Sequence, residues 1–284
     1  LNNQQDETGG FDPSTPETDR IGQNVADFLV GEMKAGRILK SFLPLQSGVG
    51  NVANAVISGF VHSKYEHLTV YTEVIQDGMF DMFDAGKLDF ASGTSLTPSP
   101  DGQKRFYANI NEYRKKIMLR PQEISNNPEV VRRLGVIAMN TAIEADIYGN
   151  INSTHIMGTK MMNGIGGSGD FARNGYLTVF FTQSTAKNDA ISSIVPMCAH
   201  VDHGHQDVDV IVTEQGLADL RGVCPRERAK LVINNCANPK YRPLLLDYYE
   251  RALKETKNAH TPHIIKEALS FHERFVETGT MEKK

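Results

Sequence analysis

The sequence predicts an α/β fold, in which an open sheet is flanked by helices and followed by a C-terminal helical segment. A strand, a glycine-rich turn, a helix and a second strand follow one another between Phe42 and Glu73, which is the order of a βαβ unit. Further short aliphatic strands alternate with helical patterns as far as Val212. From Pro225 onward the pattern is helical, over Arg226 to Cys236, Pro243 to Lys254 and Thr261 to Val276.

Composition limits the class of protein. The chain has 284 residues, of which 40% are hydrophobic and 23% charged, with a net charge of -4. It is long enough to bury a substantial core. The negative charge disfavours a nucleic-acid partner, and no apolar run approaches the roughly 20 residues that span a bilayer, so no membrane partner is predicted. The cysteines Cys198, Cys224 and Cys236 form no Cys-x-x-Cys pair, which suits a reducing compartment, and we expect a cytoplasmic protein.

The first third of the chain divides as follows. Polar residues and two prolines predict a linker over 1–18, and Ile21, Val25 and Leu29 then have helical spacing. A strand at 42–45, the glycine turn and a helix from Val52 lead to a strand that begins at Leu68. We predict three segments: a linker or loop at 1–18, an α/β domain with its preceding βαβ segment at 19–256, and a C-terminal helix and tail at 257–284.

Later elements follow from periodicity and turn residues. A helix is predicted over Asp77 to Leu88, and the Ser, Thr, Pro and Gly residues between Ala91 and Gly102 predict a loop. Gly135 to Asn152 predicts one strand whose polar face is either solvent-facing or part of a site. Shorter strands are predicted at 117–119, 177–182, 191–197 and 208–212.

Glu73 falls at the C-terminal end of the strand that begins at Leu68. In an open α/β sheet ligands bind at that edge, so this carboxylate is a candidate for chemistry. A helix-capping or salt-bridging role is the structural alternative. Glu214 likewise follows a short strand, Val208 to Val212, with a threonine before it.

Two glycine-rich loops are candidate ligand sites. Gly48-Val49-Gly50 precedes a helix, where backbone amides favour an anion, although a tight turn without a ligand has the same sequence. Gly164-Ile165-Gly166 with Gly169 matches the dinucleotide pattern Gly-x-Gly-x-x-Gly. Asp189 has the spacing of the acidic partner of such a site but lies in a predicted loop, which disfavours that interpretation.

Two polar clusters have structural alternatives. Ser125 to Glu129 is typical of a helix start, and capping requires only one of the two asparagines Asn126 and Asn127. His200, His203 and His205 lie around Asp202, but their spacing matches no metal signature, so we interpret them as a polar loop and predict no metal.

Four strings together resemble the acetyl-CoA hydrolase/transferase family, whose members include class I CoA-transferases. They are residues 47–54, 71–78, 163–171 and 212–220, and they read SGVGNVAN, YTEVIQDG, NGIGGSGDF and VTEQGLADL. The resemblance runs from about Ile21 to about Ala252 and corresponds to the C-terminal part of a protein of about twice this length. It implies an α/β fold of the CoA-transferase type, a missing N-terminal α/β domain and a homodimer.

The resemblance also implies roles for individual residues. Glu73 would be the nucleophile, and the amides of Val49 and Gly167 would stabilise the oxyanion. Asn126 and Glu214 would lie in the pocket for the carboxylic acid. Coenzyme A would be a substrate, with no tightly bound cofactor, and the residues expected to contact it are Gly48, Gly50, Asn51, Gly164, Gly166 and Lys187. A surface lysine without a ligand is the structural alternative for Lys187.

The implied function is transfer of CoA from acetyl-, succinyl- or propionyl-CoA to a short carboxylic acid, through a glutamyl-CoA thioester. An acyl-CoA hydrolase, in which water resolves the thioester, is the first alternative, because only the acceptor differs. An inactive C-terminal fragment that acts as a binding or assembly module is the second. An NAD-dependent oxidoreductase is a more distant alternative and would require nicotinamide binding.

Overall fold

The computed structural model describes residues 14–38 and 43–283. These residues form two compact units: residues 14–138 with Asn174–Tyr176 make the first unit, and residues 139–173 with 177–283 make the second. Most of the predicted linker at 1–18 and Phe42 of the first predicted strand lie outside the described residues. Helix α1 begins at Pro16, with the Thr15 side chain as its N-terminal cap.

The first unit has a parallel sheet with helices packed on it. Strand β2 lies between β1 and β4, and β6 pairs with the far side of β4, all in parallel. Helix α2 connects β1 to β2, as the βαβ prediction requires. The elements of this unit are α1 (Pro16–Lys34), β1 (Leu45–Ser47), α2 (Asn51–Gly59), β2 (Leu68–Tyr71), β3 (Val74–Ile75), α3 (Asp77–Asp84), β4 (Leu88–Gly93), β5 (Ser95–Leu96), α4 (Pro100–Ala108), α5 (Ile110–Tyr113), β6 (Ile117–Leu119), α6 (Gln122–Ser125) and α7 (Pro128–Leu134).

The second unit combines a sheet with the C-terminal helices. Strand β12 pairs in parallel with β16, and β16 pairs with β17 in an antiparallel hairpin. Strand β7 (Ile137–Thr141) begins in the first unit and enters the second, and the last residue of α8 belongs to the first unit. The remaining elements of the second unit are β8 (Glu144–Asp146), β9 (Ile151–Asn152), β10 (His155–Ile156), β11 (Lys160–Met161), α8 (Ser168–Asn174), β12 (Leu177–Phe181), β13 (Thr185–Ala186), β14 (Ile191–Ser192), β15 (Ile194–Val195), β16 (Val210–Thr213), β17 (Gly216–Asp219), α9 (Pro225–Cys236), α10 (Arg242–Glu255) and α11 (Ser270–Thr278).

The α/β class and the C-terminal helical segment are confirmed. Buried side chains of α9, α10 and α11 pack into one core with those of β12, β15 and β16. Short 3-10 helices occur at Phe60–His62, His205–Asp207 and Ile265–Glu267. None of the helices in the described parts of the chain is long and apolar enough to cross a membrane.

Several predicted elements were wrong in whole or in part. The helix predicted over Thr261 to Val276 is α-helical only from Ser270, and the strand predicted at 191–197 is divided into β14 and β15. The expected loop at 91–102 contains the end of β4 and the start of α4, where Ser99 caps the helix and Pro100 is its first residue. Strand β4 forms there because it is paired on both sides. The expected single strand at 135–152 is broken into β7, β8 and β9. Its predicted polar face is buried, since Asn140, Glu144 and Asp146 are each at most 5% exposed.

Candidate functional site

Glu73 lies just beyond the carboxyl end of β2, as predicted. Its carbonyl oxygen accepts hydrogen bonds from the backbone amides of Thr94 and Ser95, at 2.7 and 3.2 Å. These two residues follow β4, so the loops after two adjacent parallel strands are joined at this edge. Gly93 allows the close approach, because a Cβ atom there would lie 3.2 Å from the Glu73 carbonyl oxygen. The Glu73 side chain is partly buried, on a backbone that two hydrogen bonds fix.

The turn between β1 and α2 presents a backbone amide. Gly50 has φ of 123°, which favours glycine, and its carbonyl accepts the first hydrogen bond of α2 from Asn54. Val49 is exposed, and within residues 14–38 and 43–283 its N–H group donates no hydrogen bond. A free N–H at a helix N-terminus is a binding group for negative charge. Gly48 and Asn51 flank this turn.

The glutamate loop and the glycine turn are bonded to each other on both sides of Glu73. The buried hydroxyl of Thr72 donates to the Ser47 carbonyl at 3.1 Å. Gln76, which is 1% exposed, donates from Nε2 to the Gly48 carbonyl at 2.7 Å and accepts from the Gly50 amide at 3.3 Å. No role is predicted for Thr72 or Gln76 from the sequence. A polar residue directly before a helix, near a candidate nucleophile, was the signal available in the sequence.

Asn126 and Asn127 have different environments. Asn127 caps α7, since its side-chain oxygen accepts from the amides of Glu129 and Val130, so the capping interpretation is confirmed for one asparagine. Asn126 is 6% exposed, and neither its side-chain oxygen nor its nitrogen has a partner in the described structure. A buried polar group without a hydrogen bond costs about 1–3 kcal/mol. An amide kept in that state is available for a polar ligand.

The position of Asn126 is linked to the end of β2. The Tyr71 hydroxyl donates to the Ile124 carbonyl at 2.6 Å, and burial is the main reason why the pKa of Tyr71 is raised above its ordinary value. A cavity of about 510 Å³ beside this contact has mainly apolar walls and includes Arg120, whose Nε donates to Ser92. The first unit thus places apolar surface and a guanidinium group next to β2.

A larger cavity of the first unit carries the wrong charge for a phosphate. Its volume is about 730 Å³, and Asn51 belongs to its lining. The same lining includes Asp19, Asp77, Asp81 and Asp101, whereas its Arg105 is paired with Asp81 at 2.7 Å. Several carboxylates would repel the phosphates of CoA. The charge of this cavity therefore gives no support to the prediction that Asn51 contacts CoA.

In the second unit, Glu214 is engaged with Ser184. Its carboxylate accepts from the Ser184 amide at 2.8 Å and from the Ser184 hydroxyl, and Gln215 Nε2 donates to it at 3.0 Å. Ser184 is fully buried. Glu214 therefore fixes the start of the loop that leads to Lys187. Lys187 itself is exposed at φ of 52°, with Nζ 5.1 Å from the centre of the Phe275 ring.

The second glycine loop leads into α8. Gly167 is buried, and its carbonyl accepts from the Phe171 amide at 3.1 Å, whereas Gly164 and Gly166 are exposed. The strand before this loop, β11, has only two residues and pairs with β10 in an antiparallel hairpin. Asp189 lies in a turn with φ of 63°. Neither feature has the parallel βαβ arrangement of a dinucleotide site.

A hydrogen-bonded network surrounds Asp202, as the polar-loop interpretation predicts. The Thr154 hydroxyl and the Ser153 amide donate to its carboxylate, and His200 Nε2 lies 3.2 Å from it. Burial opposes ionisation, but these donors and the His200 ring leave the pKa of Asp202 below its ordinary value. Burial lowers the pKa of His203, whose Nε2 lies 3.1 Å from the Ser168 hydroxyl. No three His, Cys, Asp or Glu side chains in the described part of the chain form a metal site.

The predicted site residues are thus divided between the two units. The first unit contains Glu73, Val49, Asn126 and the glycine turn around Val49, and within it the loops of Glu73 and Val49 are directly bonded. The second unit contains Gly164, Gly166, Gly167, Lys187 and Glu214. In each unit the candidate residues lie in loops that begin or end at strands or helices.

A family model and individual relatives both match this chain. The family description "Acetyl-CoA hydrolase/transferase C-terminal domain" matches residues 102–249, just over half of the chain. A succinyl-CoA:acetate CoA-transferase from Clostridium kluyveri is 55% identical over 281 residues, which are 99% of this chain and 52% of that protein. An acetyl-CoA hydrolase from Candida albicans is 48% identical over 95% of this chain and 53% of that protein.

Solved structures with a similar fold include a CoA-transferase. RipA from Yersinia pestis has a TM-score of 0.73 and 25% identity over 89% of this chain and 56% of that one. A 4-hydroxybutyrate CoA-transferase from Porphyromonas gingivalis has a TM-score of 0.66 and 25% identity over 84% of this chain and 56% of that one. The chain spans about half the length of the curated relatives it matches. By its sequence and its fold, the chain belongs to the acetyl-CoA hydrolase/transferase family.

Proposed function

We propose that the protein containing this chain transfers CoA from an acyl-CoA to a short carboxylic acid, with Glu73 as the covalent nucleophile. The observation that supports this most directly is the bonded pair of loops in the first unit. A carboxylate at the edge of a parallel sheet stands on one loop, and the other presents the free Val49 amide. Acyl transfer requires a nucleophile and an oxyanion donor in fixed relative positions, and the hydrogen bonds between these two loops link the backbones that carry them.

The reaction has four steps. A carboxylate oxygen of Glu73 attacks the thioester carbonyl, the C–S bond breaks, and a mixed anhydride and CoA thiolate form. The thiolate attacks the Glu73 side-chain carbonyl, and the first acid leaves as a carboxylate, which gives a glutamyl-CoA thioester. The carboxylate of the second acid attacks this thioester and expels the thiolate, which gives a second mixed anhydride on Glu73. The thiolate then attacks the acyl carbonyl of the second acid in this anhydride, which releases the Glu73 carboxylate and the new acyl-CoA.

Each step passes through a tetrahedral oxyanion. In comparable acyl-transfer sites one backbone or side-chain donor contributes roughly a hundredfold to a thousandfold in rate. The Val49 amide has no competing partner in the described residues and serves as one donor. As the resemblance implies, the Gly167 amide is proposed as a second donor, and Gly48, Gly50, Gly164, Gly166 and Lys187 are proposed to contact CoA. Glu214 would act through Ser184, which it holds by two hydrogen bonds.

Asn126 is proposed to bind the carboxylate of the acid. A hydrogen bond to a charged group contributes about 1.5–3 kcal/mol, so Asn126→Leu should raise the KM of the acid about tenfold to a hundredfold. The variant also removes two unpaired buried polar atoms, so its free energy of unfolding should not fall by more than about 1 kcal/mol. Steady-state kinetics with varied acid and urea unfolding measure the two quantities.

The neighbouring asparagine is the matched control. Asn127→Ala removes the cap of α7 and should lower the free energy of unfolding by about 1 kcal/mol, with the KM of the acid unchanged. An unchanged KM in Asn126→Leu would contradict the role of Asn126 in acid binding.

The test of the function is detection of the covalent intermediate. The chain, and a form extended by the N-terminal segment of its relatives, are incubated briefly with acetyl-CoA or succinyl-CoA, and borohydride then reduces any thioester at Glu73 to an alcohol. We expect a CoA adduct or its alcohol that maps to Glu73. An adduct in the extended form alone would show that the N-terminal domain is required for the reaction and would favour the alternative in which the chain alone is inactive and acts as a binding or assembly module. Absence of an adduct in both forms would exclude the covalent mechanism.

Net hydrolysis of the thioester is the second candidate, because relatives at similar identity carry the name acetyl-CoA hydrolase. The two activities share the steps up to glutamyl-CoA. The rate of acyl-CoA consumption with and without acetate or succinate separates them, since only the transferase requires the acid. A cytoplasmic location, a homodimeric state and CoA as a substrate without a tightly bound cofactor remain predictions from composition and resemblance.

A further inference from the structure

Gln76 occupies an unusual position in the first unit. It is a fully buried glutamine between the candidate nucleophile and α3, and its side-chain amide bonds to two successive peptide groups of a distant turn. Nε2 donates to the Gly48 carbonyl at 2.7 Å, and Oε1 accepts from the Gly50 amide at 3.3 Å. The residue bracketed by these two contacts is Val49.

These two hydrogen bonds determine the direction in which the N–H bond of Val49 points. In a trans peptide the C=O and N–H bonds point in opposite directions, and the described chain has no cis peptide bond. The bond from Gln76 to the Gly48 carbonyl therefore directs the N–H of Val49, in the same peptide group, away from Gln76. The Gly50 amide of the next peptide group points back toward Gln76. The Gly50 amide therefore donates to Gln76, and the Val49 amide has no hydrogen-bond acceptor in the described residues.

We propose that Gln76 is a positioning residue that orients the Val49 amide as oxyanion donor and holds it in register with Glu73. This inference rests on the proposed function. Gln76 is three residues after Glu73, so one short loop carries both the nucleophile and the group that aims its oxyanion donor. The hydrogen bond to the Gly48 carbonyl also polarises the peptide group and strengthens its N–H as a donor.

The surroundings of Gln76 keep it in place. Its carbonyl accepts from the Met79 amide at 3.0 Å, and the Gly78 amide donates to Asn54 Oδ1 of α2 at 2.7 Å. On the other side of Glu73, Thr72 donates to the Ser47 carbonyl. The backbone from Gln76 to Gly78 is therefore held by α2 and α3, and a change in the Gln76 side chain should alter the Val49 turn without releasing the loop of Glu73.

Two variants of nearly equal size separate the contacts of Gln76. Gln76→Glu keeps the acceptor for Gly50 but places an ionised oxygen against the Gly48 carbonyl, and Gln76→Met removes both contacts. We expect each to lower kcat about a hundredfold at pH 8, since an oxyanion donor is misdirected, while the KM for acyl-CoA stays within about threefold. Gln122→Glu, at an exposed glutamine of α6, is the control and should leave both constants unchanged.

The pH profile distinguishes positioning from a general loss of structure. A protonated glutamic acid at position 76 donates to the Gly48 carbonyl as Gln76 does. An ordinary Glu pKa is about 4.3, and burial raises it, so the fraction of protonated variant grows as the pH falls from 8 to 5. The ratio of kcat for Gln76→Glu to wild-type kcat should therefore rise as the pH falls. The same ratio for Gln76→Met should stay constant.

The rate of Glu73 adduct formation separates this inference from the proposed function. If the wild-type protein forms the adduct and the Gln76 variants form it at the wild-type rate, Gln76 is not a positioning residue. A flat pH ratio for Gln76→Glu would overturn the inference in the same way. If the extended wild-type protein forms no adduct, the proposed function itself fails, and the role of Gln76 with it.

Discussion

Replacement of Glu73 by glutamine is expected to lower the rate of CoA transfer at least about a thousandfold. A neutral amide neither attacks a thioester effectively nor forms the anhydride, so the covalent route is lost. The free energy of unfolding should change little, because glutamine has nearly the size and shape of glutamate and the contacts with Thr94 and Ser95 are made by the backbone carbonyl oxygen, which the substitution keeps. The measurements are kcat in the extended protein with succinyl-CoA and acetate, and the urea midpoint of unfolding.

Two further variants define the interpretation of that loss. Glu73→Asp keeps the carboxylate but withdraws it by one methylene group, and a displacement of about 1 Å is enough for roughly a hundredfold loss in a preorganised site. Glu66→Gln, at an exposed glutamate before β2, is the control and should leave the rate unchanged. If Glu73→Gln keeps more than about a tenth of the wild-type rate, Glu73 is not the nucleophile.

Substitution of Gly102 by alanine is expected to destabilise the first unit by about 2–3 kcal/mol. An added Cβ would lie 1.9 Å from Asp77 Oδ1 and 3.0 Å from the Pro98 Cβ, so Asp77 must move. The Asp77 carboxylate accepts from the Ser99 amide at 2.7 Å and from the Ser99 hydroxyl at 2.8 Å, and a hydrogen bond to a charged group contributes about 1.5–3 kcal/mol. Because Asp77 is partly exposed, the loss of stability is limited. Urea unfolding of Gly102→Ala and of the wild-type protein measures the difference in the free energy of unfolding.

The control for this prediction is a helical glycine with open space around it. Gly31 of α1 has no atom within 4 Å of an added Cβ, so Gly31→Ala should be neutral or stabilising by up to about 1 kcal/mol. Equal stabilities of Gly102→Ala and wild type would show that Asp77 relaxes without losing its contacts. Asp77 directly follows Gln76, so Gly102→Ala should also lower kcat in proportion to the disturbance of that loop.

The sequence by itself determined most of the local elements and the place of the candidate nucleophile Glu73. Alternating Leu68, Val70 and Thr72, followed by Asp77-Gly78, predicted a strand that ends near Glu73, and the glycine turn before α2 predicted the βαβ unit. Both follow from periodicity and backbone preference, which act over a few residues. The same local reasoning failed at 91–102, where pairing of β4 with two neighbours overrides a composition typical of loops.

Only the tertiary structure decided which of these residues act on one another. Gln76 reaches peptide groups 26 and 28 residues earlier, and Glu214 reaches Ser184 30 residues earlier. Asn126 and Asn127 are identical in type and adjacent, yet one caps a helix and the other is buried without a partner. These differences depend on how strands align and which loops they bring to the same edge. Strands that pair in a sheet can be far apart in the sequence, so a local sequence pattern does not predict which of them pair.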